Sequence, residues 1–212
     1  MHLNIIDLNF LPYEKCWNFQ KELVEKRLAD EIPDTLILVE HPHVYTVGIS
    51  GGEGDFLTSK EELKRKGIDI FKIERGGKTT YHGPGQLVGY PLINLKYLKL
   101  GPASYVRLLE ESIIAALLNF DIHAGRIDKL TGVWVGNEKI AAIGVKIKKW
   151  VTMHGLALNV NTDLNYFSNI IPCGIRQKGI ISMEKILNKK VSIEEVKKAF
   201  IINFRKVFNY NE

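Results

Sequence analysis

The sequence predicts a mixed α/β (α+β) fold, a mixed sheet flanked by helices, and three observations carry that expectation. Short runs rich in Val, Ile, Leu and Tyr recur without strict alternation, as strands buried on both faces do. Between them stand segments with apolar residues at 3.6-residue spacing and capping residues at their starts. No repeat, low-complexity stretch or linker interrupts the 212 residues, so residues 1–212 are expected to form one domain.

Residues 13–30 carry Cys16, Phe19, Leu23 and Leu28 among charged neighbours, which predicts an amphipathic helix with Cys16 toward a core. From Leu36, LILVEHPHVYTVG reads as two short strands broken at His41-Pro42, because proline removes a donor and restricts its predecessor. A glycine-rich loop at 48–54 follows. A short helix then starts at Thr58 or Ser59, where Ser59 and Glu62 form a capping box, and stops at Gly67 before a strand near 69–74. LVGYPLINL, 87–95, reads as a buried strand with a ladder gap at Pro91. Residues 103–120 form a helix with Val106, Leu109, Ile113, Leu117 and Phe120 on one face. GVWVGNEKIAAIGVKIKKWV is a hairpin turning at Gly136-Asn137, and a strand at 155–160 ends in a polar turn at 161–163. The last helix begins at Ser192, boxed by Glu195, with Val196, Phe200, Phe204 and Val207 on its apolar stripe.

A content of 45% hydrophobic and 25% charged residues excludes a disordered or fibrous chain. The net charge of +5 is spread thinly, and the basic run Lys146-Ile147-Lys148-Lys149 has the alternation of a strand with one solvated face. Nucleic-acid binding is therefore not expected. Two cysteines, Cys16 and Cys173, cannot build a disulfide framework or a structural zinc site, which points to a reducing compartment. The start MHLNIIDLNF lacks signal-peptide features and no window approaches the roughly 18 apolar residues of a membrane span, so a soluble, cytoplasmic protein is expected.

Several motifs fail. Gly77-Lys78-Thr79 imitates the end of a phosphate-binding loop, but the leading glycine would have to be Lys72. Gly48-Ile49-Ser50-Gly51-Gly52 matches a nucleophile elbow in letters, yet Glu53-Gly54-Asp55 continues the loop where a helix should start. The six histidines show no paired metal-ligand spacing.

Two features survive. The run from Arg75 to Gln86 packs four glycines and a proline around Arg75 and His82, which could bond a carbonyl or carboxylate; a long tight turn is an equal alternative. Cys173 stands between Pro172 and Gly174, which present a side chain at a loop tip instead of burying it. A thiol needs a base to become a thiolate, and Lys139, opening the apolar strand KIAAIG, is a candidate. The competing expectation is a lysine at the hairpin mouth with its head in water.

Together RGGKTTYHGPGQLVGYPLINL (75–95), VEHPHVYTVG (39–48), KIAAIGVKIKKWVTMHGLALNVNTDL (139–164) and PCGI (172–175) closely resemble the lipoyl(octanoyl) transferases over about residues 36–185. The resemblance implies the biotin/lipoate protein ligase fold and an acyltransferase that moves an octanoyl or lipoyl group from acyl carrier protein to a lysine of lipoyl domains. Those of 2-oxoacid dehydrogenases and the glycine cleavage H protein are the implied acceptors. It further implies that Cys173 is the acyl-thioester nucleophile and Lys139 the residue that activates it. Arg75, Gly76, Gly77, Lys78, Thr79, Thr80, Tyr81 and His82 would bind substrate, with Ala142, Ile143, Gly144, Gly155, Leu156 and Ala157. His41 and Tyr90 would be further pocket residues. The amides of Gly76, Gly77 and Gly155 would hold an oxyanion, and glycines at 155 and 83–85 would leave room for eight carbons. No cofactor, metal, nucleic acid or membrane is implied. Ile181-Ser182 departs from the family, many of whose members carry a Thr-Ser pair there. The rival on the same fold is an ATP-dependent lipoate or biotin protein ligase, which needs no cysteine and is therefore disfavoured by Cys173.

Overall fold

A computed structural model of the chain describes residues 2–171 and 178–211. The elements, in chain order, begin with β1 (Leu3–Phe10), α1 (Tyr13–Leu28), β2 (Asp34–Glu40), β3 (Val44–Val47), α2 (Lys60–Arg65), β4 (Asp69–Lys72), β5 (Thr79–His82) and β6 (Gln86–Leu92). They continue with α3 (Pro102–Leu118), β7 (Gly125–Ile127), β8 (Leu130–Val135), β9 (Glu138–Lys148), β10 (Val151–Asn159), β11 (Gly179–Ile180), α4 (Met183–Leu187) and α5 (Ile193–Phe208). The mixed α/β class expected from the sequence is the one observed.

Among the described residues the strands form two sheets. The larger runs β1-β2-β6-β10-β9-β8-β7, parallel at β1-β2 and antiparallel thereafter, with β11 added in parallel to β9. The smaller is β4-β3-β5. The His41-Pro42 break thus sends consecutive strands into different sheets.

Alternation along β2 explains how the larger sheet is covered. Leu36 and Leu38 join Leu109, Ile113, Phe200 and Phe204 of α3 and α5, whereas Ile37 and Val39 join Cys16, Leu23 and Val24 of α1. Both faces being buried, the strand has no polar side to show, hence its continuous apolar run. Cys16 is the core residue expected of it: burial pushes its thiol up to about 12, and no thiolate forms there near neutral pH. Tyr45, Leu63, Ile68, Tyr81 and Phe167 form a separate core under the smaller sheet.

The caps read from the sequence are in place, with Ser59 accepting from the Glu62 amide and Ser192 from the Glu195 amide. Among the boundaries that differ, one changes how the chain turns. The second strand of the predicted hairpin ends at Lys148, and Lys149 and Trp150, at φ +47° and +73°, turn the chain straight into β10. Two left-handed residues between paired strands make a hairpin turn, but Lys-Trp lacks the Asn-Gly signature by which such turns are recognised.

Candidate active site

The antiparallel register of β9 and β10 sets Ala142 opposite Ala157 and Gly144 opposite Gly155. Two residues apart on each strand, these four share one face, so the sheet presents a floor without bulk. A cavity of about 260 Å³ lies over it. Tyr13 of α1, Tyr90 of β6 and the segment holding Arg75, Thr80 and His82 complete its walls, with Lys129, Leu130 and Thr131 of the β7–β8 hairpin at one end. Gly155 is glycine for a packing reason: a Cβ there would sit 2.2 Å from the Gly89 carbonyl oxygen.

Lys139 stands in this wall at 5% exposure, not with its head in water. Its Nζ donates to the Thr131 carbonyl at 3.0 Å and lies 4.7 Å from the centre of the Trp134 ring. The Lys139 strand pairs with Ile180 of β11, and the Ile181 amide donates to the Lys139 carbonyl at 3.1 Å. The chain leaving segment 172–177 therefore returns directly beside Lys139. Cys173 itself falls within that segment, outside the described residues. Ile181-Ser182, the departure from the family pattern, has a local role: Ile181 is buried and Ser182 caps α4 by accepting from the Lys185 amide.

Strand alternation divides the run 75–82. Thr80 and His82 face the cavity, while Thr79 turns to Asp55, donating at 2.8 Å, and the Tyr81 hydroxyl lies 2.7 Å from His43 Nδ1 with its ring stacked on Tyr166. Gly77 and Lys78 line the cavity from its exposed side, and Gly83 and Gly85 stand outside its wall. The Gly76 amide is given to the Val145 carbonyl at 2.9 Å, which commits it to the fold and removes it as an oxyanion donor. His41 supports from behind, its Nδ1 donating to the Leu11 carbonyl and its Nε2 accepting from the Tyr90 hydroxyl.

A chain of hydrogen bonds ties the smaller sheet to the Lys139 strand. Arg75 donates to the carbonyl and hydroxyl oxygens of Thr46 at 2.7 and 2.9 Å. The Thr46 hydroxyl lies 3.4 Å from His82 Nε2, and His82 Nδ1 lies 2.8 Å from Gln86 Oε1. Gln86 donates to Asn159, and Asn159 to the Ile181 carbonyl. Since Gln86 Oε1 can only accept, the proton of His82 is assigned to Nδ1. Burial lowers His82 to about 3 and His41 to about 4, so both rings are neutral at pH 7.

Thirteen of the expected site residues line the cavity: Arg75, Gly77, Lys78, Thr80, His82, Tyr90, Lys139, Ala142, Ile143, Gly144, Gly155, Leu156 and Ala157. Gly76, Thr79, Tyr81 and His41 are not in its wall. Sequence reasoning missed Tyr13, Lys129, Leu130, Thr131 and His154 in the lining, and Thr46, Gln86 and Asn159 behind it. For Tyr13 and Thr131 no local signal exists, since contacts across the fold decide their place.

The comparisons with known proteins point one way. A family model described as the lipoyl protein ligase A/B catalytic domain matches residues 12–205. The chain is 47% identical, over 98% of its length and 89% of the relative, to an octanoyltransferase of Caldicellulosiruptor saccharolyticus. It is 46% identical, over 100% and 97%, to an octanoyltransferase of Alkaliphilus metalliredigens. Its fold is similar to a crystal structure of lipoate-protein ligase A bound with ATP, at a TM-score of 0.79 and 19% identity, covering 99% of this chain and 86% of that one.

Proposed function

The chain belongs to the lipoyl protein ligase A/B catalytic-domain family and within it to the octanoyltransferases, and from there we propose that Cys173 carries the acyl group between donor and acceptor. Its activity is octanoyl transfer in protein lipoylation. In the proposed reaction the donor is an octanoyl thioester of acyl carrier protein and the acceptor a lysine of a lipoyl domain, both in the cytoplasm. No helix among the described residues is long and apolar enough to cross a membrane. Residues 1–212 are read as one catalytic domain.

The observation that supports this reading best is Lys139, a buried amine at the end of a cavity with a floor of alanine and glycine, on a strand paired with the chain that follows Cys173. Lys139 takes the Cys173 proton. The thiolate adds to the donor carbonyl, the C–S bond to the carrier breaks, and the carrier sulfur leaves with the proton from Lys139. An S-octanoyl enzyme remains. The acceptor amine then attacks the same carbonyl and gives its proton to Lys139, and Cys173 departs as the thiolate, leaving an amide. Amide stability over thioester drives the second step, so no ATP is consumed. The apolar chain lies along Ala142, Ile143, Leu156 and Ala157, each buried methylene contributing about 0.8 kcal/mol.

Intact-protein mass spectrometry tests this directly. Mixing the enzyme with octanoyl carrier protein should add the mass of one octanoyl group, which disappears when a lipoyl domain is supplied. Cys173→Ser should abolish both the adduct and transfer; an active serine variant, or an adduct that forms only with ATP, would sink the mechanism and favour an adenylate-forming ligase.

A further inference from the structure

We propose that His154 is the end stop of the acyl cavity and sets the chain length the enzyme transfers, an inference that rests on the acyl-transfer reading above. Val145 is opposite His154 in the β9–β10 register, six residues along β9 from Lys139, which puts the two ends of the floor about 20 Å apart between Cα atoms. Side chains reaching in from both ends leave a span suited to a medium-length chain, its carbonyl at Lys139 and its last methyl toward His154.

Three features single this residue out. It lines the cavity at 1% exposure, yet neither ring nitrogen has a hydrogen-bond partner among the described residues. Its backbone is left-handed, φ +59°, within a strand, a conformation that costs energy for any residue with a Cβ and that the surroundings must impose. Gln20 of α1 helps to impose it by accepting from the His154 amide at 3.1 Å. Burial and the neighbouring Arg75 cation hold the ring neutral, at about 3.

Length selection needs such a wall. Every methylene taken into an apolar cavity favours binding about fourfold, so two more carbons would favour a longer chain about fifteenfold if the cavity simply continued. A buried imidazole at the far end removes that gain, because its ring fills the space that further methylenes would need, and a packed site accepts extra methylenes only by displacing what fills it. The eight-carbon chain stops at the ring; a longer one has to displace it.

The test uses a series of hexanoyl, octanoyl, decanoyl and dodecanoyl carrier thioesters with wild type, His154→Gly and His154→Asn. Glycine and asparagine both tolerate the left-handed backbone, so neither variant is strained there. In His154→Gly the decanoyl-to-octanoyl ratio of kcat/KM should rise about tenfold or more. In His154→Asn, whose side chain still fills part of that space, it should rise far less. A ratio within about twofold of wild type in the glycine variant would overturn the proposal. Should that variant fail to fold, the wild type decides: the ¹⁵N resonances of the His154 ring should move in the octanoyl enzyme and not in the butanoyl enzyme, and equal shifts, or none, overturn the end stop. Absence of any acyl adduct on the wild type would instead overturn the acyl-transfer reading itself.

Discussion

Lys139 reaches its position because residue 132 has no side chain. Gly132 has φ +121°, and a Cβ there would lie 2.6 Å from the Ala141 carbonyl and 3.2 Å from Lys139 Cε. The space where another residue would project is the path of the lysine stem, and the neighbouring Thr131 carbonyl accepts from its Nζ. Lys139→Ala should therefore lower kcat by about 10²–10⁴, the usual range for removing a positioned acid–base, with a smaller effect on KM for the octanoyl carrier. Steady-state kinetics on a variant of unchanged circular dichroism checks this, and an unaltered kcat would remove the residue from the mechanism. A charge opening an apolar strand is legible in sequence as an anomaly. That the charge turns inward is not, because the glycine and carbonyl that admit it belong to the strand before the turn.

Among the elements, the β9–β10 connection deserves an experiment because its chemistry disagrees with its geometry. Lys149 and Trp150 both occupy left-handed backbone, which costs residues with a Cβ roughly 1–2 kcal/mol each when nothing compensates. Both are largely exposed, and the Trp150 carbonyl accepts from the Leu95 amide. Lys149→Asn with Trp150→Gly should raise stability by about 1 kcal/mol without altering transfer, read as a higher urea midpoint; an unchanged or lower midpoint would mean that the tryptophan ring contributes more by packing than its backbone loses. This turn is also where element reading from sequence fails, since a lysine-tryptophan pair carries no turn signal. The strand β5 is missed for the opposite reason: glycines crowd both its ends, so four paired residues read as part of one long loop. The serine N-caps are legible because the hydroxyl and the amide it accepts from lie three residues apart in the sequence itself.

For the whole molecule, the site concentrates three buried neutral histidines. His41, His82 and His154 fall to about 4, 3 and 3, against about 6.5 in an unfolded chain. A depressed histidine favours the fold only while both states are neutral. That contribution is complete above about pH 6.5 and is lost progressively as pH falls from there to the folded values, because the unfolded chain takes up protons first. With three such groups the loss should approach about 4 kcal/mol per pH unit at its steepest. Urea midpoints at pH 7.5, 6 and 5 would show it, and a flat profile over that range would contradict it. The fold class is legible from buried strands and capped helices, and the division into two sheets is not, since His41-Pro42 announces a break without saying where the next strand will pair. The hydrogen bonds that rejoin the two sheets have one further property. From Arg75 through Thr46, His82, Gln86 and Asn159 to the Ile181 carbonyl, every hydrogen points the same way. Aligned bonds of this kind polarise one another, so a guanidinium bonded to the smaller sheet biases the electrostatic potential at the strand edge beside Lys139 in the larger, and the tautomer of His82 becomes a reporter of whether the two sheets are in register.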